Sequence, residues 1–282
     1  MSNTISGKAK LAGVMGWPVS HSRSPRLHNY WLRQYGIDGA YVPLAVPPDK
    51  AEQAIRALPA LGFRGANVTL PHKEVAFASM DRLDAAARRI GAVNTIIVGA
   101  DGMLEGRNTD AFGFLENLRQ GAPGWRAHSG PAVVLGAGGA SRAVIVALLD
   151  AGVPQVRLLN RTAARAEQIA REIGGAIEVL GWDSRAAALR DAGLLVNTTT
   201  QGMAGQPPLD LALDALPRNA VVTDIVYSPL VTPLLIGAQA RGNATVDGIG
   251  MLLHQARPGF EAWFGTAPEV TAELRRFVLE PA

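Results

Sequence analysis

The chain has 282 residues, 48% hydrophobic and 18% charged, a globular balance that excludes disorder as a whole-chain description. It lacks cysteine, which excludes disulfides, thiol nucleophiles and thiolate-bound zinc, and its five histidines show no HExxH spacing, so no metal site is expected. The formal net charge of +3 is small and no arginine cluster alternates with aromatics, so the expected partners are small anions and not nucleic acid.

A length above the roughly 100 to 200 residues of one domain predicts two. The first reads as alternating strands and helices. Residues 11–15 form a short apolar strand, followed by a helix with Ser24 as N-cap, Pro25 at its first position and Gly36 past its end. A strand at 41–46 precedes a helix from about Lys50, where Asp49 and Glu52 are spaced as a capping box, and 65–70 is a third strand ending at Pro71. Residues 95–98 and 103–105 flank Ala100-Asp101-Gly102, a hairpin turn that predicts an antiparallel edge on a mostly parallel sheet. Beyond the glycine- and proline-containing stretch 121–130, strand candidates at 132–135, 155–159, 177–180, 194–197 and 221–225 are mostly separated by helical segments such as 140–152. That is a doubly wound pattern. Two helices follow, about 249–264 and 268–279, whose destination periodicity does not settle.

Two motifs carry chemistry. Gly136-Ala137-Gly138-Gly139-Ala140-Ser141 follows a strand and opens a helix, the setting in which glycines admit a pyrophosphate to the backbone and to free helix N–H groups. Ser141 stands where a third glycine is usual and is small enough for close packing. A NAD site would place an acidic residue about 20 positions on, to hold the ribose 2′-hydroxyl. This chain has Asn160-Arg161-Thr162, with Arg165 one helical turn further, which favours a 2′-phosphate and hence NADP(H). The second motif is Asn67-Val68-Thr69-Leu70-Pro71-His72-Lys73. Lysine is scarce here, the others being Lys8, Lys10 and Lys50, and an amine differs from guanidinium in being able to give up a proton. Read alone, Lys73 is a solvated lysine at a helix start, and Asp110 in Gly106-Arg107-Asn108-Thr109-Asp110 is an N-cap.

Taken together, the segments resemble the shikimate dehydrogenase family over 16–255. The resemblance is carried by Gly16-Trp17-Pro18-Val19-Ser20-His21-Ser22-Arg23-Ser24-Pro25, the Asn67 to Lys73 segment, Gly91-Ala92-Val93-Asn94-Thr95 and the segment ending at Asp110. It continues through the glycine loop, Asn160-Arg161-Thr162, Asn197-Thr198-Thr199-Thr200-Gln201-Gly202-Met203, Asp224-Ile225-Val226-Tyr227-Ser228-Pro229 and Gly248-Ile249-Gly250-Met251-Leu252-Leu253-His254-Gln255. It implies two α/β domains flanking a cleft. Residues 1–110 with 248–282 would form a substrate-binding and catalytic domain that the C-terminal helices rejoin, and 111–247 a Rossmann-type NADP-binding domain. Ser22 and Ser24, with Tyr227, would hold a substrate carboxylate. Thr69, Asn94, Asp110 and Gln255 would bind ring hydroxyls, and Lys73 with Asp110 would be the catalytic pair. Gly136, Gly138, Gly139, Ala140, Ser141, Asn160, Arg161, Thr162 and Arg165 would hold the cofactor, with Ile225 and Gly248 at the nicotinamide; Gln201 departs from the apolar residue expected beside them. The implied reaction is reversible reduction of 3-dehydroshikimate by NADPH, in the chorismate pathway. The alternatives are use of quinate or NAD, or a regulatory module that binds nucleotide without turnover. No apolar run reaches the ~20 residues that span a bilayer and no basic stretch leads into one, so the expectation is a cytoplasmic monomer or homodimer with no membrane partner.

Overall fold

The computed structural model describes residues 5–280; the ends of the expected first domain, 1–4 and 281–282, lie outside the described residues. Two compact units are present, one built from the chain up to Thr109 together with the chain from Leu252 onward, the other from Asp110–Met251.

The first unit contains β1 (Lys10–Gly16), α1 (Ser24–Gln34), β2 (Gly39–Ala45), α2 (Ala51–Ala57), β3 (Phe63–Val68), α3 (Lys73–Ala78), β4 (Arg82–Leu83), α4 (Ala85–Ile90), β5 (Thr95–Val98) and β6 (Leu104–Arg107). The sheet order is β2-β1-β3-β5-β6-β4. β1 is parallel to β2 and β3, while β5 is antiparallel to β3 and β6. The expected hairpin turn is present, with Gly102 at φ +77° and Gly99 N–H donating to Met103 O at 2.9 Å. Its antiparallel strand is not an edge, however: β5 is interior, and the two-residue β4, too short to show periodicity, closes that end. Two expected caps also differ. Arg23 is the N-cap of α1 and Ser24 its first residue, because Ser22 Oγ already accepts the Ser24 N–H at 3.3 Å. Asp49 sits inside a 3-10 turn over Pro48–Lys50, so α2 starts at Ala51 without a side-chain cap.

The second unit runs α5 (Asp110–Gly121), β7 (Ala132–Leu135), α6 (Gly139–Asp150), β8 (Val156–Leu159), α7 (Ala163–Ile173), β9 (Ile177–Leu180), β10 (Leu194–Asn197), β11 (Val221–Asp224), α8 (Pro233–Ala240) and β12 (Ala244–Val246). All six strands are parallel, in the order β12-β11-β10-β7-β8-β9. β7, β10 and β11 are buried at every residue, and separate apolar clusters contain Val134 and Val133 from opposite faces of β7. This explains their continuous hydrophobic runs. The order reverses between β7 and β10, so loops leaving the carboxyl ends of these two strands flank the switch point where such sheets take ligands. β12, three residues long, gave no sequence signal of its own.

The final helices are α9 (Ile249–Phe264), which passes into the first unit after Met251, and α10 (Ala272–Leu279). They rejoin that unit because they complete its core. Phe260 is fully buried with its ring centroid 5.2 Å from that of Trp31, and Trp263 donates its indole N–H to Ile96 O at 2.9 Å. Gly65 sits in β3 at φ +150°, where a Cβ would collide with Ile96 O and the Trp263 indole. In α10, Leu274 and Val278 are buried, and Arg26 both stacks on the Phe277 ring at 4.3 Å and donates to Phe277 O.

Candidate active site

In the first unit the residues singled out from sequence gather at the carboxyl ends of β1 and β3. The loop after β1 carries Ser22, half-buried, and Ser24, 7% exposed. β3 carries buried Asn67 near its end and leads into Thr69, whose N–H donates to Met15 O at 2.9 Å. His72 anchors the start of α3: its ring Nε2 lies 2.7 Å from Val46 O and its side chain is buried. Lys73, the first residue of α3, is half-buried, and its carbonyl accepts the Val93 N–H at 3.1 Å, which sets it beside the segment leading into Asn94.

Asn94 is the most committed of these groups. Its Oδ1 accepts the Thr109 N–H at 2.9 Å and the Thr95 hydroxyl at 2.9 Å, while its Nδ2 donates to Gln255 Oε1 at 2.9 Å and Thr109 Oγ1 at 3.0 Å. Gln255 arrives on α9, 161 positions later in the chain. A buried amide satisfied on both edges is rigid, because each lost bond would leave a desolvated group unpaired. Thr109 is thereby fastened to Asn94, and Asp110, the next residue, opens α5 with 2% exposure.

In the second unit, the loops at the switch point form a cofactor cradle. Gly136 adopts φ +108°, and a Cβ there would lie 2.7 Å from Thr198 Oγ1, so only glycine lets the β7 and β10 loops touch. Thr198 reinforces the contact by donating its hydroxyl to Leu135 O at 2.6 Å. At Gly138 a Cβ would meet nothing within 4 Å, so the space beside the loop admits a group that a side chain would displace. Ser141 is more than a small residue: its hydroxyl accepts the Gly138 N–H at 2.6 Å and donates to Gly138 O at 2.7 Å, holding the loop closed. The N–H groups of Gly139 and Ala140, in the first turn of α6, have no partner among the described residues.

The turn from β8 to α7 supplies positive charge. Asn160 Nδ2 donates to Thr162 O at 2.8 Å and shapes the turn. Arg161, Thr162 and Arg165 are exposed, and neither guanidinium has a hydrogen-bond or ion-pair partner among the described residues. Thr162 is the N-cap residue of α7 but its side chain makes no cap bond. These free donors suit a phosphate on the ribose, and no carboxylate stands there to repel it.

Two side chains to which sequence reasoning gave no individual role, Asn197 and Asp224, organise the neighbouring loops. Asn197 accepts from the Thr199 N–H at 3.0 Å and hydroxyl at 2.7 Å, and donates to Gln201 O and Asp224 Oδ1, both at 3.1 Å. Asp224 is fully buried and takes its hydrogen bonds from Asn197, the Val226 N–H at 3.0 Å and the Thr232 hydroxyl at 2.7 Å. Desolvation raises its pKa against those hydrogen bonds. It staples the loop that carries Ile225 and Tyr227; the available signal was an acidic residue closing an apolar strand. Gly248 is required because a Cβ there would overlap the Ile225 backbone. Gln201, the residue that departs from the expected pattern, has a buried Oε1 without a hydrogen-bond partner among the described residues. Among those residues, no cluster of His, Asp and Glu could hold a metal ion.

A doubly wound unit with a phosphate cradle, joined to a second α/β unit dense in buried hydrogen-bonding groups, defines the class of two-domain, dinucleotide-dependent oxidoreductases. Residues 14–96 match the shikimate dehydrogenase substrate binding domain, and 123–204 match shikimate / quinate 5-dehydrogenase. The chain is 65% identical to shikimate dehydrogenase (NADP(+)) of Paramagnetospirillum magneticum, over 98% of this chain and 100% of that protein. It is 63% identical to its counterpart from Rhodospirillum rubrum, over 98% and 99%. Among solved structures, shikimate 5-dehydrogenase from Thermus thermophilus, in complex with NADP(H) and shikimate, is 38% identical with a TM-score of 0.85, covering 95% of this chain and 98% of that one. The chain belongs to the shikimate dehydrogenase family.

Proposed function

We propose that the chain catalyses reversible NADPH-dependent reduction of 3-dehydroshikimate to shikimate, a step on the way to aromatic amino acids. The reading is carried by the first unit's buried donors and acceptors around Asn94, which present fixed polar geometry of the kind a polyhydroxylated acid requires. The relatives named for the same reaction with NADP(+), at up to 65% identity, support the cofactor as well. The second unit's residues suit it: Gly136, Gly138, Gly139 and Ala140 would hold the pyrophosphate, and Arg161, Thr162 and Arg165 would hold the 2′-phosphate. When bound, NADPH supplies the hydride.

The chain's own residues then bind, orient and move the proton. Ser22 and Ser24 with Tyr227 hold the carboxylate, and Thr69, Asn94, Asp110 and Gln255 read the ring hydroxyls. The Lys73 ammonium gives its proton to the oxygen that gains charge as the ketone is reduced, and water restores it. Asp110 accepts a hydrogen bond that orients the amine and a ring hydroxyl. General acid catalysis of this kind is worth about a hundred- to ten-thousandfold in rate.

The test is a four-way assay with purified protein, following the ultraviolet absorbance of the reduced nicotinamide with shikimate or quinate and NADP or NAD. Turnover is expected with shikimate and NADP above every other pair. Equal use of quinate or NAD would replace the substrate or cofactor assignment, and no turnover with any pair would leave a binding module. No helix among the described residues is long and apolar enough to cross a membrane. The proposal carries a cytoplasmic location and a monomer or homodimer, which sedimentation of the pure chain distinguishes.

A further inference from the structure

The phenol of Tyr41 stands at one end of a buried polar relay in the first unit. Tyr41 is 2% exposed and donates its O–H to Asn67 Oδ1 at 2.7 Å. The Asn67 amide is turned with Oδ1 to the phenol because Nδ2 donates to the backbone carbonyl of Asn94 at 3.2 Å and to Thr95 Oγ1 at 3.1 Å, so the phenol is the donor that satisfies Oδ1. Having accepted from Asn67, the Thr95 hydroxyl directs its own proton to Asn94 Oδ1 at 2.9 Å. The Thr109 N–H also donates to that oxygen, at 2.9 Å, which puts the Asn94 amide N–H groups on the opposite side, where one meets Gln255 Oε1. Amide edges are otherwise nearly interchangeable in shape, and only the surrounding donors and acceptors distinguish them.

The phenol is itself held rigidly. Its ring lies flat on that of His28, with centroids 4.0 Å apart and planes 4° from parallel. Its backbone is gripped by Asn29, which donates to Tyr41 O at 2.8 Å and accepts the Tyr41 N–H at 3.2 Å. Burial raises the phenol's pKa well above its usual value and keeps the proton on the oxygen, and burial likewise keeps His28 neutral.

We propose that Tyr41 is a positioning residue whose phenol holds the Asn67 amide in place and, through Thr95, braces Asn94 on the hydroxyl-reading side of the site. The proposal rests on the reading that Asn94 and Gln255 face the hydroxyls of a shikimate-like acid. It assigns a function to Tyr41 and Thr95, both buried and neither assigned a substrate contact above.

Tyr41→Phe removes one oxygen and keeps the ring stack; Thr95→Val keeps the shape of the other relay member and removes its hydroxyl. Each is expected to raise KM for shikimate about tenfold, the size expected for one orphaned buried hydrogen bond, and to leave KM for NADP within about twofold. Because both act on one chain of bonds, the double variant should exceed the larger single effect by less than about twofold. A lowered melting temperature with unchanged shikimate KM would make both residues structural and overturn the proposal, as would single effects that simply multiply. If Tyr41→Phe does not fold, Thr95→Val decides by the same readout. The wild-type chain in the same assay separates the two readings: its turnover with unchanged variants overturns the relay alone, and no wild-type turnover overturns both.

Discussion

The packing around His28 makes protein stability depend on pH in a way that can be worked out beforehand. The imidazole is fully buried against Tyr41, Trp31, Phe260 and Trp263, and neither ring nitrogen has a hydrogen-bond partner of acceptable geometry. Desolvation lowers its pKa from 6.5 to about 3, against a smaller opposing contribution from Asn67. Since the folded-state value is depressed, the unfolded chain binds one more proton between those two values, and stability falls as pH drops through that window. The slope from this one group is about 1.4 kcal/mol per pH unit, reached below pH ~6, and the loss between pH ~7 and pH ~5 is about 2 kcal/mol. Below pH ~3 the folded imidazole protonates too and the slope vanishes. His28→Phe retains an aromatic ring and removes the titration. Urea unfolding followed by tryptophan fluorescence, which Trp31 and Trp263 report from the ring's own surroundings, should show the wild type losing about 2 kcal/mol more than the variant over that pH range. Other groups, including Asp224, cancel in the comparison. Parallel pH profiles for the two proteins, or an NMR titration of His28 near its ordinary value in the folded state, would refute the reasoning.

Lys73→Ala should lower kcat at saturating substrate by about a hundred- to ten-thousandfold, with NADPH affinity from fluorescence titration unchanged, and Lys73→Arg should not restore it. Arg161→Ala should raise KM for NADP by roughly ten- to a hundredfold while KM for NAD stays as it was, because the guanidinium has no other partner among the described residues to lose. Two glycines of one loop should fail differently. Gly136→Ala places a Cβ 2.7 Å from Thr198 Oγ1 at φ +108° and should lower the melting temperature, at a cost of about 1 to 3 kcal/mol. Gly138→Ala meets open space, so it should melt as the wild type does yet bind NADPH at least about tenfold more weakly, as calorimetry would measure.

Local features were readable from sequence because their causes are local. The run from Ala132 to Ser141 combines a buried strand, a left-handed glycine and a helix start within ten positions, and Asn160-Arg161-Thr162 follows at the distance that one helix and one strand impose. The hairpin at 100–102 was equally plain, but neither of its strands proved to be an edge, since β5 lies between β3 and β6 and the earlier, very short β4 pairs with the outer side of β6. Ser24 was misplaced by one position in its helix because the serine two residues earlier satisfies its N–H. Ser141 was valued for its size, and only the folded loop shows its hydroxyl closing on Gly138.

The sequence by itself determined the two α/β units, the glycine cradle, the arginines of the cofactor turn and the segments containing Lys73 and Asp110. Each depends on hydrophobic period, backbone freedom or charge over a few consecutive residues. Only the tertiary structure decided that α9 completes the first unit, that Gln255 meets Asn94 across 161 positions, and that Tyr41 reaches Asn67 across 26. A buried donor or acceptor takes its meaning from whichever group the sheet register and helix packing place opposite it, and no local propensity of an asparagine or a tyrosine encodes that partner.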